Sequence, residues 1–353
     1  MANVETAVVL MNLGGPDKLE DVEGFLYNIF SDPDVIQLPI GFLWQKWLAR
    51  RIAKKRAHES QENYRKIGGR SPILEWTKAQ GAELEKRLGP GFKTYIAMRA
   101  WTPSTEQAVE ALVADGARRI VAFPLYPQRT RAMSVSSVRE LYRVLKARKL
   151  ALPVHEVCCF PKEPGLLDAW ADAVRETLAR VSEARRPAAH VVFSAHGLPQ
   201  SLIDRGDPYL EHVKLTVAGV MERVGAERPH TLAFQSRATG AKWLEPSTPD
   251  ALAALAKQGV KDVLVVPIAF VTEHIETLFE LDMLIKEPAM AAGIEGYYRV
   301  PVPNVAPKLM DGLADLVRRA LEKQEPLCEA DVPGWPCPQV DGTSGAVRTR
   351  FAE

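Results

Sequence analysis

The sequence predicts an α/β protein of two similar, doubly wound, Rossmann-like domains with parallel sheets. Three observations lead there. First, short β-branched runs alternate with helical patterns along the chain, the signature of βα units. Second, the runs are apolar throughout rather than alternating, as in strands covered by helices on both faces. Third, the two halves repeat each other. Val8-Val9-Leu10-Met11-Asn12-Leu13-Gly14-Gly15-Pro16 is echoed by Val191-Val192-Phe193-Ser194-Ala195-His196-Gly197-Leu198-Pro199, which places Leu13 and His196 at matching positions. Ala111-Leu112, Gly116 and Ile120–Leu125 are echoed in the same order by Ala254-Leu255, Gly259 and Val263–Ile268.

In chain order the expected strands are 7–11, 94–98, 120–125, 190–195, 231–234 and 263–270. Val22, Phe25, Leu26 and Ile29 fall at helical spacing, and Ser104-x-x-Gln107 is a capping box that opens a helix. At 353 residues the chain has room for about two domains. The expected division is 1–150 and 151–325, with a tail at 326–353 rich in Pro, Gly and Cys that needs a cross-link to be ordered. In open α/β sheets ligands gather at the carboxyl ends of strands, so the site is expected between the domains, near Leu13, Arg99, Tyr126, His196 and the segment after Phe270.

Residues 28–73 form an insertion. Its apolar series Val35, Ile36, Leu38, Ile40, Phe42, Leu43, Trp44, Trp47 and Leu48 is followed by Arg50, Arg51, Lys54, Lys55 and Arg56. Such a lip either docks on a membrane surface or packs as an ordinary amphipathic helix.

Composition excludes several functions. Lys plus Arg total 45 against 44 acidic residues, so no global field draws in nucleic acid. The start lacks a signal-peptide pattern and no run is long and apolar enough to span a bilayer, so a soluble, cytoplasmic protein is expected. Four cysteines are too few for a secreted disulfide scaffold; packing, catalysis or metal remain. The dinucleotide G-x-G-x-x-G after the first strand, the phosphate-binding G-x-x-x-x-G-K-[ST] and the G-x-S-x-G nucleophile elbow are all missing, which argues against dehydrogenase, NTPase and hydrolase.

Two motifs carry chemistry. His196 follows a strand end, where a rigid backbone can expose an imidazole able to take a proton or a metal near neutral pH. After the strand 263–270 comes Thr272-Glu273-His274-Ile275-Glu276-Thr277-Leu278-Phe279-Glu280. A helix starting near Glu273 sets Glu273, Glu276 and Glu280 on one stripe, suited to a divalent cation or to protons. The spacings of a closed zinc site are missing.

With these motifs in place, the chain resembles the ferrochelatases, which insert ferrous iron into a porphyrin at the end of haem synthesis. The resemblance rests on Leu13-Gly14-Gly15-Pro16, Tyr64-Arg65-x-Ile67-Gly68-Gly69-x-Ser71-Pro72, Tyr126-Pro127-Gln128, Ser194–Pro199, Phe234-Gln235-Ser236-Arg237, Trp243-Leu244-x-Pro246 and His274-Ile275-Glu276-Thr277. It implies a type II chelatase-like fold, catalysis by His196 and Glu276, and an iron path through His196, Glu276, Glu280 and His274. It further implies porphyrin contacts from Leu13, Tyr64, Ser71, Arg99, Tyr126 and Trp243, with 28–73 as the lip over the ring. Insertion releases two pyrrole protons and so needs a base; here His196 is expected to take the protons while Glu276 and Glu280 guide iron.

Relatives acting on coproporphyrin carry a tyrosine where this chain has Leu13, so protoporphyrin IX is the expected substrate, with coproporphyrin III, another tetrapyrrole or a non-catalytic porphyrin carrier as alternatives. Several ferrochelatases hold a 2Fe–2S cluster, for which Cys158, Cys159, Cys328 and Cys337 are the candidate ligands, tying the tail to the second domain. The partners implied are porphyrin and ferrous iron, without nucleic acid; the resemblance allows a second copy of the chain and peripheral contact with the inner face of the cell membrane.

Overall fold

A computed structural model describes residues 4–36, 42–237 and 241–330, with short strands at 339–340 and 347–348. The chain divides into two compact units, Met1–Phe160 with Leu313–Glu353, and Pro161–Gly312.

The first unit is built on a parallel sheet ordered β2-β1-β3-β4-β9, made of β1 (Thr6–Asn12), β2 (Phe92–Met98), β3 (Arg119–Pro124), β4 (Val154–Cys159) and β9 (Leu327–Cys328). Every residue of β1 is buried, as its unbroken apolar run requires when helices cover both faces. Val9 and Met11 pack with Val109 and Leu112 of α4 (Thr105–Ala114) and with Val138 and Leu141 of α5 (Ser136–Ala147). On the opposite face Leu10 meets α3 (Ile73–Leu88) at Gly81, where a side chain would collide with Thr94. Ser104 caps α4 through the reciprocal bonds with Gln107 that the motif predicts. α1 (Val22–Ser31) leads into the insertion, which supplies the 25-residue α2 (Phe42–Lys66). Leu38 and Ile40 of the expected lip lie outside the described residues.

The second unit has a parallel sheet ordered β6-β5-β7-β8, from β5 (His190–His196), β6 (His230–Gln235), β7 (Asp262–Val266) and β8 (Gly296–Arg299). Relabelled from its own first strand, this is the order of β2-β1-β3-β4. The register agrees as well: Leu10 stands opposite Phe123 in the first unit, and their sequence counterparts Phe193 and Val266 stand opposite each other in the second. Ser104 and Ser247 cap the corresponding helices α4 and α7 (Thr248–Lys257). The duplication is therefore structural as well as sequential.

Three details differ from expectation. β4 belongs to the first sheet, Ile120 pairing with Val154, so the units part after Phe160 rather than after residue 150. The tail strand β9 pairs with β4, which joins the tail to the first unit and not the second. β7 ends at Val266 because Pro267 has no N–H for the ladder; the following stretch leaves the sheet and leads into a π-helix, Glu276–Ile285.

Candidate active site

In the second unit β5 delivers His196 at its carboxyl end, with Tyr209, opening α6 (Tyr209–Val224), donating its hydroxyl to the His196 carbonyl at 2.9 Å. Gly197 follows because its N–H bonds Gln235 O at 2.8 Å and a Cβ there would sit 2.7 Å from that oxygen. His196 Nδ1 lies 2.8 Å from Glu276 Oε2, at the first turn of the π-helix. The His196 side chain is 36% exposed, so an incoming group can reach the ring, and Nε2 is the nitrogen left for it.

Around Glu276 the polar groups are ordered in a row. His274 stacks edge-on against Phe270 with ring centres 4.3 Å apart; its Nδ1 sits 3.1 Å from Thr272 O, and its Nε2 3.9 Å from Glu276 Oε2. Glu280 accepts bonds from Ser236 N at 2.6 Å and from Gln235 Nε2 at 3.2 Å. Gln235 also donates to Glu276 O and accepts from Ser194 Oγ, which is bonded in turn to Thr248 Oγ1. This chain of bonds fixes the acidic helix start to the ends of β5 and β6.

The electrostatics follow from the same contacts. Burial works against the His196 imidazolium, but the Glu276 carboxylate outweighs it and raises the proton affinity above that of ordinary imidazole. Burial likewise opposes the Glu276 charge, yet His196 prevails and holds that carboxyl down to about 2. Glu280 is pushed up by burial and by the Glu276 charge, and burial lowers His274. A polarised His–carboxylate pair beside a more readily protonated second carboxyl can move protons or bind a divalent cation.

Glu273 is not on this row. The helix begins after it, so its buried carboxylate instead meets Arg299 Nη1 at 2.8 Å, and Arg299 Nε in turn holds Asp282 at 2.8 Å. The expected stripe of three is thereby corrected to Glu276 and Glu280. Trp243 forms a bridge with Pro199 and lies against Gly197, its indole N–H buried without a partner. Ser236, Gln235 and Tyr209 are site residues that the sequence reading did not single out; the first two sit inside a quoted motif, at the end of a strand neighbouring β5.

The first unit holds the other predicted residues. Leu13 leaves β1 with its N–H on Asn12 Oδ1, and Ala100 N–H donates to Leu13 O at 2.9 Å. Gly15 lets the turn approach Ser71, since a Cβ there would stand 2.5 Å from the Ser71 hydroxyl; Ser71 N–H donates to Pro16 O. Tyr64 and Ser71 are buried, and burial pushes the Tyr126 hydroxyl well above the ordinary phenol. Arg99 does not present an uncommitted guanidinium, for Asp32 lies at 2.7 Å, Asp34 at 3.8 Å and Glu140 at 3.9 Å.

Cys158, Cys159 and Cys328 bring their sulfurs within 4.8 Å of one another, a group able to hold a metal. Neighbouring strand residues ordinarily face opposite ways. Here the β4–β9 register shifts between Val157 and Cys159, and the sulfurs of Cys158 and Cys159 come within 3.9 Å. Cys159 and Cys328 are 3.3 Å apart. Cys337 lies outside the described residues. Among the described residues no helix is long and apolar enough to cross a membrane.

Comparison with known proteins bears on all of this. The solved structures of SirB from Bacillus subtilis with Fe3+ and of the sirohydrochlorin chelatase SirB from its subspecies spizizenii in complex with cobalt share the fold, with TM-scores of 0.53 and 0.52 at 13% and 12% identity. Each match covers 90% of this chain, and 95% and 96% of those chains. The ferrochelatase of Geotalea uraniireducens is 46% identical over 320 residues, 91% of this chain and 99% of that one. The ferrochelatase of Geobacter metallireducens is 47% identical over 318 residues, 90% and 98% of the two chains. The sequence model of the ferrochelatase family matches residues 5–321, and the chain belongs to that family.

Proposed function

We propose that this enzyme inserts ferrous iron into protoporphyrin IX to form protohaem, the last step of haem synthesis. The observation that carries the reading is the 2.8 Å contact between His196 Nδ1 and Glu276 Oε2, with Glu280 one turn further along the helix. Metal insertion exchanges two pyrrole protons for one divalent cation. His196 Nε2 takes the protons, because Glu276 holds Nδ1 and its charge stabilises the imidazolium that forms. Glu280 and Glu276 pass the iron, hard carboxylate oxygens being adequate for a cation that must be released again. Leu13, Tyr64, Ser71, Arg99, Tyr126 and Trp243 contact the macrocycle, with the Arg99 guanidinium held in place by Asp32, Asp34 and Glu140.

Leu13 has no ligating atom, which favours protoporphyrin IX over coproporphyrin III. An anaerobic metalation assay with ferrous iron and each porphyrin tests both points. Faster turnover on protoporphyrin IX supports the reading, a preference for coproporphyrin III refutes the substrate, and tight porphyrin binding without metalation points to a carrier.

Two accessory features complete the proposal. Thiolates are the donors that a 2Fe–2S cluster takes, and three already converge, so Cys158, Cys159, Cys328 and Cys337 are its proposed ligands. When bound, the cluster supplies a cross-link between β4 and the tail. On α2, Trp44 and Trp47 are 67% and 53% exposed, and Arg51 lies over the Trp47 ring at 4.8 Å. Exposed indoles beside Arg50, Arg51, Lys54 and Lys55 suit peripheral contact with an anionic membrane face in the cytoplasm.

A further inference from the structure

Both acidic groups of the site are held from outside their own helix. Ser236 stands one residue beyond β6 with φ +62, in the left-handed region that non-glycine residues seldom adopt. That conformation aims its N–H at Glu280 Oε1, 2.6 Å away. Its hydroxyl lies 2.5 Å from Glu280 Oε2 and 3.2 Å from Glu276 Oε2. One side chain thus touches both carboxylates, and one unusual backbone angle makes this reach possible. Unfavourable backbone conformations persist where the surroundings over-determine them, and they cluster at working sites.

Resting on the chelatase reading, we propose that Ser236 is a positioning residue for the metal step: its hydroxyl and its left-handed N–H fix the carboxylates of Glu276 and Glu280 side by side, so that both offer oxygens to one divalent cation. Two neighbouring carboxylates repel and would otherwise turn apart. A hydroxyl shared between them offsets that repulsion before the cation arrives, which is preorganisation of the ligand set. Gln235 cannot substitute for Ser236, since its amide nitrogen reaches Glu280 Oε2 and the Glu276 backbone but not the Glu276 carboxylate. Because Ser236 acts through the acidic pair, its effect falls on the cation and not on the porphyrin.

The test uses Ser236→Ala, which removes only the hydroxyl and keeps the Cβ that the left-handed angle already accommodates, beside Ser236→Gly, which removes the whole side chain and leaves the backbone N–H in place. A hydrogen bond to a charged group is worth about tenfold or more in binding. For Ser236→Gly the expected result is therefore a rise of about tenfold in KM for ferrous iron, with KM for porphyrin unchanged and thermal melting close to that of the wild type. Ser236→Ala, no more strained at this angle than the wild type, should show the same iron effect. A wild-type KM for iron in Ser236→Gly, or an equal rise for both substrates, overturns the proposal. Titration of Co2+ into the porphyrin-free protein, read by calorimetry, gives a second arm: binding weaker in Ser236→Gly supports the role, and binding equal in both proteins or absent from both overturns it. If the wild type inserts no iron into any porphyrin, the chelatase reading fails, while the cobalt titration still decides the role of Ser236.

Discussion

Glu276 and His196 are 80 residues apart in the chain, yet Oε2 of one and Nδ1 of the other lie 2.8 Å apart, and each changes the other's affinity for protons. Neither residue has this property alone. The strand end supplies a fixed imidazole, and the π-helix start supplies the charge that tunes it.

The pair predicts a pH profile. As the proposed base His196 must be neutral to accept a pyrrole proton, and its proton affinity is raised, so kcat/KM should fall on the acid side beginning above about pH 6.5. Glu276→Gln removes the attraction and leaves burial, which lowers a histidine, so the acid limb should move to lower pH. His196→Ala should lose about a hundredfold or more in turnover. An acid limb that stays in place in Glu276→Gln, or near-normal turnover in His196→Ala, would reassign the base.

Arg99 is ringed by Asp32, Asp34 and Glu140 and is almost buried, its side chain 14% exposed. Arg99→Met would leave three facing carboxylates without their cation. A loss of about 2–4 kcal/mol in unfolding free energy is expected. Urea denaturation measures it, and Arg99→Lys should recover part of the loss.

Arg129 is fully buried and binds both Glu156 Oε1, at 2.8 Å, and the Cys158 carbonyl, at 3.1 Å. Arg129→Met should cost about 3 kcal/mol by stranding Glu156. It should also loosen the cysteine group, seen as weaker visible absorption of the purified protein. In the wild type that absorption should be bleached by dithionite and lost in Cys328→Ser; a colourless, iron-free wild type would remove the cluster from the account.

At the first turn, Gly15→Ala should destabilise by about 1–3 kcal/mol, because its methyl enters the space of the Ser71 side chain. Gly68→Ala is the contrasting variant. A Cβ at Gly68 meets nothing within 4 Å, so the cost there comes only from its φ of +101 and should be smaller. Differential scanning calorimetry of the two variants ranks them.

Much of the architecture is legible in residue order. The apolar runs of β1, β3 and β5 each form a central strand, and the halves that match in sequence match in strand order and register. β4 and β8 carry weaker local signals: Val154–Cys159 contains His and Glu, and Gly296–Arg299 has four residues, so neither has a long β-branched run. Which sheet β4 joins is decided by its partner, a relation between residues 120 and 154 that no local pattern encodes.

The site divides in the same way. His196, Glu276 and Glu280 can be named from the sequence because a strand end and the first turn of a helix are local features. α-Helical spacing groups Glu273 with them, but the helix starts later and bonds i to i+5, which leaves Glu273 to Arg299. Cys158, Cys159 and Cys328 are already grouped by the resemblance, but the geometry that brings their sulfurs together, like the grip of Ser236 on two carboxylates, belongs to the tertiary structure alone. A register shift and a left-handed backbone angle produce them, and both arise where separate strands and helices constrain one another, beyond the reach of any single segment.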